Sequence, residues 1–87
     1  MNNRELVKVF KAMGNERRFL ILRHLFNKKE LSVGEITKLL GLSFRSVSKH
    51  LVVLKAANVV RWKQVNLNRI YSLDNKYIKE FIRFFHN

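Results

Sequence analysis

The chain has no cysteine and no proline. Without cysteine, disulfides, thiolate metal sites and thiol-based redox sensing are all excluded, so the fold must stand on packing alone. Without proline, and with only Gly14, Gly34 and Gly41 scattered along it, the chain has no visible linker. Acidic residues are also scarce: 6 Asp plus Glu stand against 18 Lys plus Arg, a net charge of +12. No uncharged apolar run approaches the roughly 18 residues that would span a bilayer, so no membrane partner is expected. The first residues include Arg4, Glu5, Lys8 and Lys11 rather than a long apolar stretch, which argues against a signal peptide and for a cytoplasmic protein. Internal repeats and low-complexity segments are missing too.

What remains is short, apolar enough to fold, and strongly basic. A chain of 87 residues has interior volume for one core, so 1–87 is read as a single domain. A 47% hydrophobic share with 11% aromatics is too rich for disorder. A basic surface of this size repels itself and points to an anionic partner, double-stranded DNA first.

Apolar spacing predicts helices over 3–13 and 15–28, the second opened by Asn15 as N-cap. Ser32-Val33-Gly34-Glu35 has the form of a capping box and opens a helix over 32–40, ended at Gly41 in a left-handed conformation. Ser43 caps a further helix over 43–57. The pattern then changes to β-branched and aromatic residues over 59–73, with asparagines near a tip at Val65 to Asn68, which reads as a hairpin. Asp74 is read as the cap of a last helix over 74–86. The fold class is mainly α with a small β-hairpin, in the order α-α-α-α-β-β-α: a helix-turn-helix followed by a wing.

Several stretches resemble one family. They are Lys11-Ala12-Met13-Gly14-Asn15-Glu16-Arg17-Arg18, Leu31-Ser32-Val33-Gly34-Glu35-Ile36, and above all Val47-Ser48-Lys49-His50-Leu51 continued by Leu54-Lys55-Ala56-Ala57-Asn58-Val59-Val60. The chain is similar to the arsenic-repressor-like (ArsR) family of winged-helix transcription regulators over nearly its whole length. That resemblance implies a homodimeric repressor that binds an operator, with the 43–57 helix in the major groove and the wing on the backbone or in the minor groove. Metal-sensing members carry cysteines in the stretch matching Leu31 to Ile36, where this chain has Ser32 and Gly34. Others pair histidines with acids on the last helix, where this chain offers Asp74, Glu80 and His86. No metal and no cofactor are therefore expected.

The residues themselves point the same way. Between Glu35 and Asp74 there is no acid, while Lys38, Arg45, Lys49, Lys55, Arg61, Lys63 and Arg69 all lie there. Such a stretch suits a phosphate-facing surface better than an ordinary solvated one. At about 100° per residue, Val47, Leu51 and Leu54 form one narrow stripe, and Arg45, Ser46 and Lys49 point away from it. Arg45 is the candidate for a bidentate guanine contact. Ser43 belongs to the same surface, and Ser46 and Ser48 either reach DNA or serve as local caps and solvated helix surface. His50 either touches DNA or packs at the helix edge. Phe44 either meets a thymine methyl or, as residues just after a cap more often do, packs on the preceding helix. Lys38 and Lys55 are phosphate contacts or plain surface lysines. Arg61, Lys63 and Arg69 grip backbone or guard the edge of the hairpin.

The terminal helices speak to assembly. Ile78, Phe81 and Phe85 with Ile82 make one apolar stripe, and Tyr77 and Phe84 an adjoining one. With Leu6 and Phe10 they suggest a homodimer interface, and a twofold dimer reads a pseudo-palindrome. No nucleophile–base constellation stands out, His24, His50 and His86 sit on separate elements, and there is no glycine-rich phosphate loop, so the protein is not read as an enzyme. A non-specific architectural DNA-binding protein is the alternative, with a protein- or membrane-docking module behind it.

Overall fold

The computed structural model describes residues 1–85. Five helices and three short strands follow in the order α1 (Asn3–Met13), α2 (Glu16–Lys28), β1 (Leu31–Ser32), α3 (Val33–Leu40), α4 (Phe44–Ala56), β2 (Val60–Val65), β3 (Asn68–Leu73) and α5 (Lys76–Phe84). The helix starts follow from short polar side chains that take up free amides. Asn2 accepts from the Glu5 amide and Asn15 from the Arg18 amide. Ser32 and Glu35 form the expected capping box, at 3.1 Å and 2.8 Å. Ser43 accepts from the Ser46 amide. Arg18 also reaches back, its Nε donating to the Ala12 carbonyl at 2.6 Å, and so ties the start of α2 to the end of α1.

The turn of the helix-turn-helix depends on Gly41, whose φ of 67° lies in the left-handed region. The hairpin closes on Asn66, at φ 55°, with Val65 opposite Asn68. Two features differ from the sequence reading. The hairpin is extended to a three-stranded antiparallel sheet, because Leu31 and Ser32 pair with Tyr71 and Ile70 in the order β1-β3-β2. The cap of α5 is Asn75, not Asp74. Asn75 accepts from the amides of Tyr77 and Ile78, while the Asp74 amide is held by the Val59 carbonyl as the sheet closes. The expected end of the last helix at His86 lies outside the described residues.

The core is built around α2, whose Ile21, Leu22 and Leu25 are fully enclosed. Val47, Leu51 and Leu54 from α4 and Ile78 and Ile82 from α5 join it, together with buried residues of α1, α3 and the sheet. Among the described residues no polar or charged side chain is buried. Rotation of α4 about its axis is thus set by apolar burial alone, which decides what that helix presents outward.

Candidate nucleic-acid interface

With Val47, Leu51 and Leu54 turned inward, the opposite face of α4 carries Arg45, Lys49, Val52 and Ala56, all exposed. Ser46 and Ser48 flank that face and are half-buried. Ser43 is exposed, but its oxygen already accepts the Ser46 amide, so only its hydroxyl hydrogen is left for an outside acceptor. Lys38 on α3 and Lys55 on α4 are exposed.

Phe44 corrects the packing expectation. It is 66% exposed and does not seal α4 against α3. Instead it borders a recess of about 360 Å³ between α4 and the wing, lined also by Ser48, Val52, Gln64, Leu67 and Arg69.

His50 lies on the other flank, half-buried in a recess with Asn15, Glu16, Arg17 and Leu42. Burial, and then the positive charges of Arg18 and Arg17, hold its imidazole below the usual histidine range. His50 therefore stands at the edge of α4, beside two guanidinium groups and away from the outward stripe.

The wing divides its charge. Side chains alternate between the two faces of a strand, and β2 and β3 register Gln64 opposite Arg69 and Lys63 opposite Ile70. Arg69 stacks on Trp62 at 4.1 Å, on the face that borders α4. Arg61 and Lys63 occupy the opposite face. Lys63 pairs with Glu30 at 2.9 Å, and Arg61 Nε donates to the Ser72 hydroxyl at 3.5 Å. They border a separate groove with Lys29 and Lys79. The three wing cations expected to act together are therefore split, one toward α4 and two away.

Gln64 joins the α4-side recess, a place that sequence reasoning misses. The signal for it is the strand parity it shares with Trp62. Glu35, the last acid before the acid-free stretch, is locked into the capping box. Hydrogen bonds from the Ser32 amide and hydroxyl hold its carboxyl below the ordinary range.

At the other end of the molecule, α1 and α5 expose aromatic surface. Phe10 meets Phe81 edge-on at 5.9 Å, and Phe81 and Phe84 each meet Phe85 at 5.1 Å. Leu6, Tyr77 and Phe85 are exposed, and Phe84 is 82% exposed. Ile78 is a correction. It is 3% exposed and belongs to the core of its own chain, so it is not available to a partner. Phe81 is half-buried and bridges core and surface.

Among the described residues no three His, Asp or Glu side chains gather to hold a metal ion, and no helix is long and apolar enough to cross a membrane.

The helix-turn-helix, the outward basic face of α4 and the hairpin beside it find their counterparts in known proteins. The model of the arsR family of bacterial regulatory proteins matches residues 15–61. The transcriptional activator HlyU of Vibrio cholerae is 36% identical over 98% of this chain and 78% of its own length. A structure of HlyU from Vibrio cholerae superposes with a TM-score of 0.91 at 35% identity, covering 99% of this chain and 95% of that one. The transcriptional repressor PagR of Bacillus anthracis superposes at 0.88 with 25% identity, over 95% and 94% of the two chains. A homodimeric winged helix-turn-helix domain of Mycobacterium bovis, 23% identical, shares the fold at 0.84 over 93% of this chain and 74% of that one. An apolar stripe that turns Arg45 and Lys49 outward thus stands in a setting built for transcription control rather than catalysis, and the chain belongs to the arsR family of DNA-binding, winged helix-turn-helix transcription regulators.

Proposed function

We propose that the protein is a homodimeric cytoplasmic repressor that reads a pseudo-palindromic operator. The observation that carries this is the outward face of α4, where Arg45 and Lys49 stand exposed inside a stretch of sequence without a single acid. Arg45, in the first turn, reaches a guanine edge. Lys49 one turn on, Lys55 and Arg69 meet phosphates, with Ser43, Ser46 and Ser48 close enough to add hydroxyl contacts. Lys38 extends the same charge onto α3. The aromatic surface of α1 and α5, with Phe10, Tyr77, Phe84 and Phe85 outermost, joins two protomers. A twofold dimer then sets its two α4 helices about one helical turn of DNA apart, and occupancy of the operator blocks transcription.

Selection of bound sequences from a random DNA pool, repeated at two salt concentrations, tests this directly. The expected product is one pseudo-palindrome that is retained at the higher salt. Equal recovery of all sequences refutes sequence-specific reading.

A second reading is favoured by the net charge of +12: an architectural protein that coats DNA without reading bases. It predicts binding that collapses with salt and has no preferred site. A specificity ratio above about a thousandfold excludes it.

A further inference from the structure

On the wing side of the face of α4 that carries Arg45 and Lys49, two large apolar side chains stand in water. Phe44 is 66% and Val52 67% exposed, whereas Val47, Leu51 and Leu54 of the same helix are enclosed and Val53 is 39% exposed. Both border the same recess, on the side of α4 next to the wing. They are eight residues apart, about 12 Å along the helix axis at 1.5 Å per residue. That distance is about three to four base-pair steps at roughly 3.4 Å each.

Exposed apolar surface gains from a partner that removes it from water. The surrounding charge says which kind of partner. Arg45, Lys49 and Arg69 lie beside this strip, and no acid occurs between Glu35 and Asp74. An apolar protein surface docking here would have to supply anions in matching places. A DNA major groove supplies them already, and its one apolar group is the 5-methyl of thymine.

We propose that Phe44 and Val52 read thymine methyl groups. Each half-site then carries two thymines about three to four base pairs apart, near the base contacted by Arg45. This rests on the sequence-reading function above and specifies part of what is read.

Replacing thymine with deoxyuridine removes the methyl and leaves base pairing intact. In the selected operator, thymines are replaced one position at a time, symmetrically in both half-sites, and affinity is measured by fluorescence anisotropy. The expected result is two sensitive positions per half-site, each losing about fourfold per methyl and so about sixteenfold for the symmetric pair. Phe44→Ala abolishes the thymine preference at one position and Val52→Ala at the other, each leaving the second position sensitive. Phe44→Leu, still apolar, retains part of the preference. Both positions are exposed, so the variants keep the fold, and circular dichroism melts verify it.

A wild-type protein that prefers its operator yet binds thymine and uracil equally at every position overturns the proposal while leaving sequence reading intact. A protein that selects no sequence overturns both. A change in oligomeric mass of Phe44→Ala or Val52→Ala without DNA also overturns it, because the strip would then be a protein contact.

Discussion

Arg69 and Lys63 make the sharpest test of how the wing is used, because each is a single wing cation and only their faces differ. Arg69 lies on the α4 side, held against Trp62 at 4.1 Å. Stacking orders the guanidinium without consuming its edge donors, which remain free for a phosphate. Lys63 points to the far face and pairs with Glu30 at 2.9 Å. Each neutralised phosphate adds about 0.9 to the slope of log affinity against log salt, so removing one phosphate-binding cation from each protomer lowers the slope of a dimer by about 1.8. Between about 50 and 200 mM salt, a fourfold change, that difference amounts to about twelvefold in affinity. Arg69→Ala is therefore expected to flatten the salt dependence by that amount, and Arg69→Lys to restore most of it. Lys63→Ala removes only a solvent-exposed ion pair, worth under about 1 kcal/mol of stability, and should leave the slope unchanged. Anisotropy titrations over a salt series measure all three. Equal flattening by Lys63→Ala and Arg69→Ala would refute the division of the wing into a DNA face and an outer face.

Three further outcomes follow from the same geometry. Arg45→Ala should cost about 1–3 kcal/mol of operator binding in each half-site and relax selection at one base position there, read by repeating the pool selection with the variant. Phe84→Lys removes a roughly 2 kcal/mol aromatic anchor from each protomer and should weaken self-association on the order of a thousandfold, while leaving the melting of the monomer nearly unchanged; sedimentation equilibrium separates the two. His50 has its folded-state value lowered by burial and by Arg18 and Arg17, so the unfolded chain binds its proton more readily. Its contribution to stability is complete above the unfolded value near 6.5 and is lost as pH falls through that value toward the folded one. His50→Gln should remove this part of the pH dependence of Tm.

Much of this is legible from residue order because it depends on neighbours close in sequence. Asn15, Ser32 and Ser43 each cap a helix by accepting an amide three residues on, so the cap and its target sit in one short window. Gly41 and Asn66 mark backbone that most residues resist. What escapes depends on pairing over distance. Leu31 and Ser32 become a strand only because Tyr71 and Ile70 arrive beside them, and two residues carry no periodicity to reveal it. Asp74 and Asn75 are equally good caps by type, and the choice is made by the Val59 carbonyl, fifteen residues away, which takes the Asp74 amide. The division of the wing cations is partly in view, since Arg61 and Lys63 share a parity. Only the register places Arg69 with Gln64 and Trp62 instead.

The exposure of Phe44 and the burial of Ile78 both bear on function. Apolar character on an amphipathic helix does not say which neighbours the helix meets: Phe44 is exposed, against the packing alternative, and Ile78 is buried, against its expected place in a dimer interface. The arc of a small helix that is buried is set by those neighbours. On α5 the arc centres on Ile78 and Ile82, which drives Tyr77 and Phe84 into solvent. On α4 it centres on Val47, Leu51 and Leu54, which turns Arg45, Lys49 and Val52 outward, while Phe44, beside Leu51 around the helix, is exposed because it opens the helix next to the wing-side recess. A rotation of α4 by one residue, about 100°, would bury a charged or hydroxyl-bearing side chain and expose core leucines. The three core residues therefore fix the outward face of α4, the one proposed to read bases, as firmly as they fix the fold. An inward-facing position on α4 should tolerate only apolar exchange, whereas changes at Phe44, Arg45 and Val52 should alter which DNA is bound and leave the fold standing.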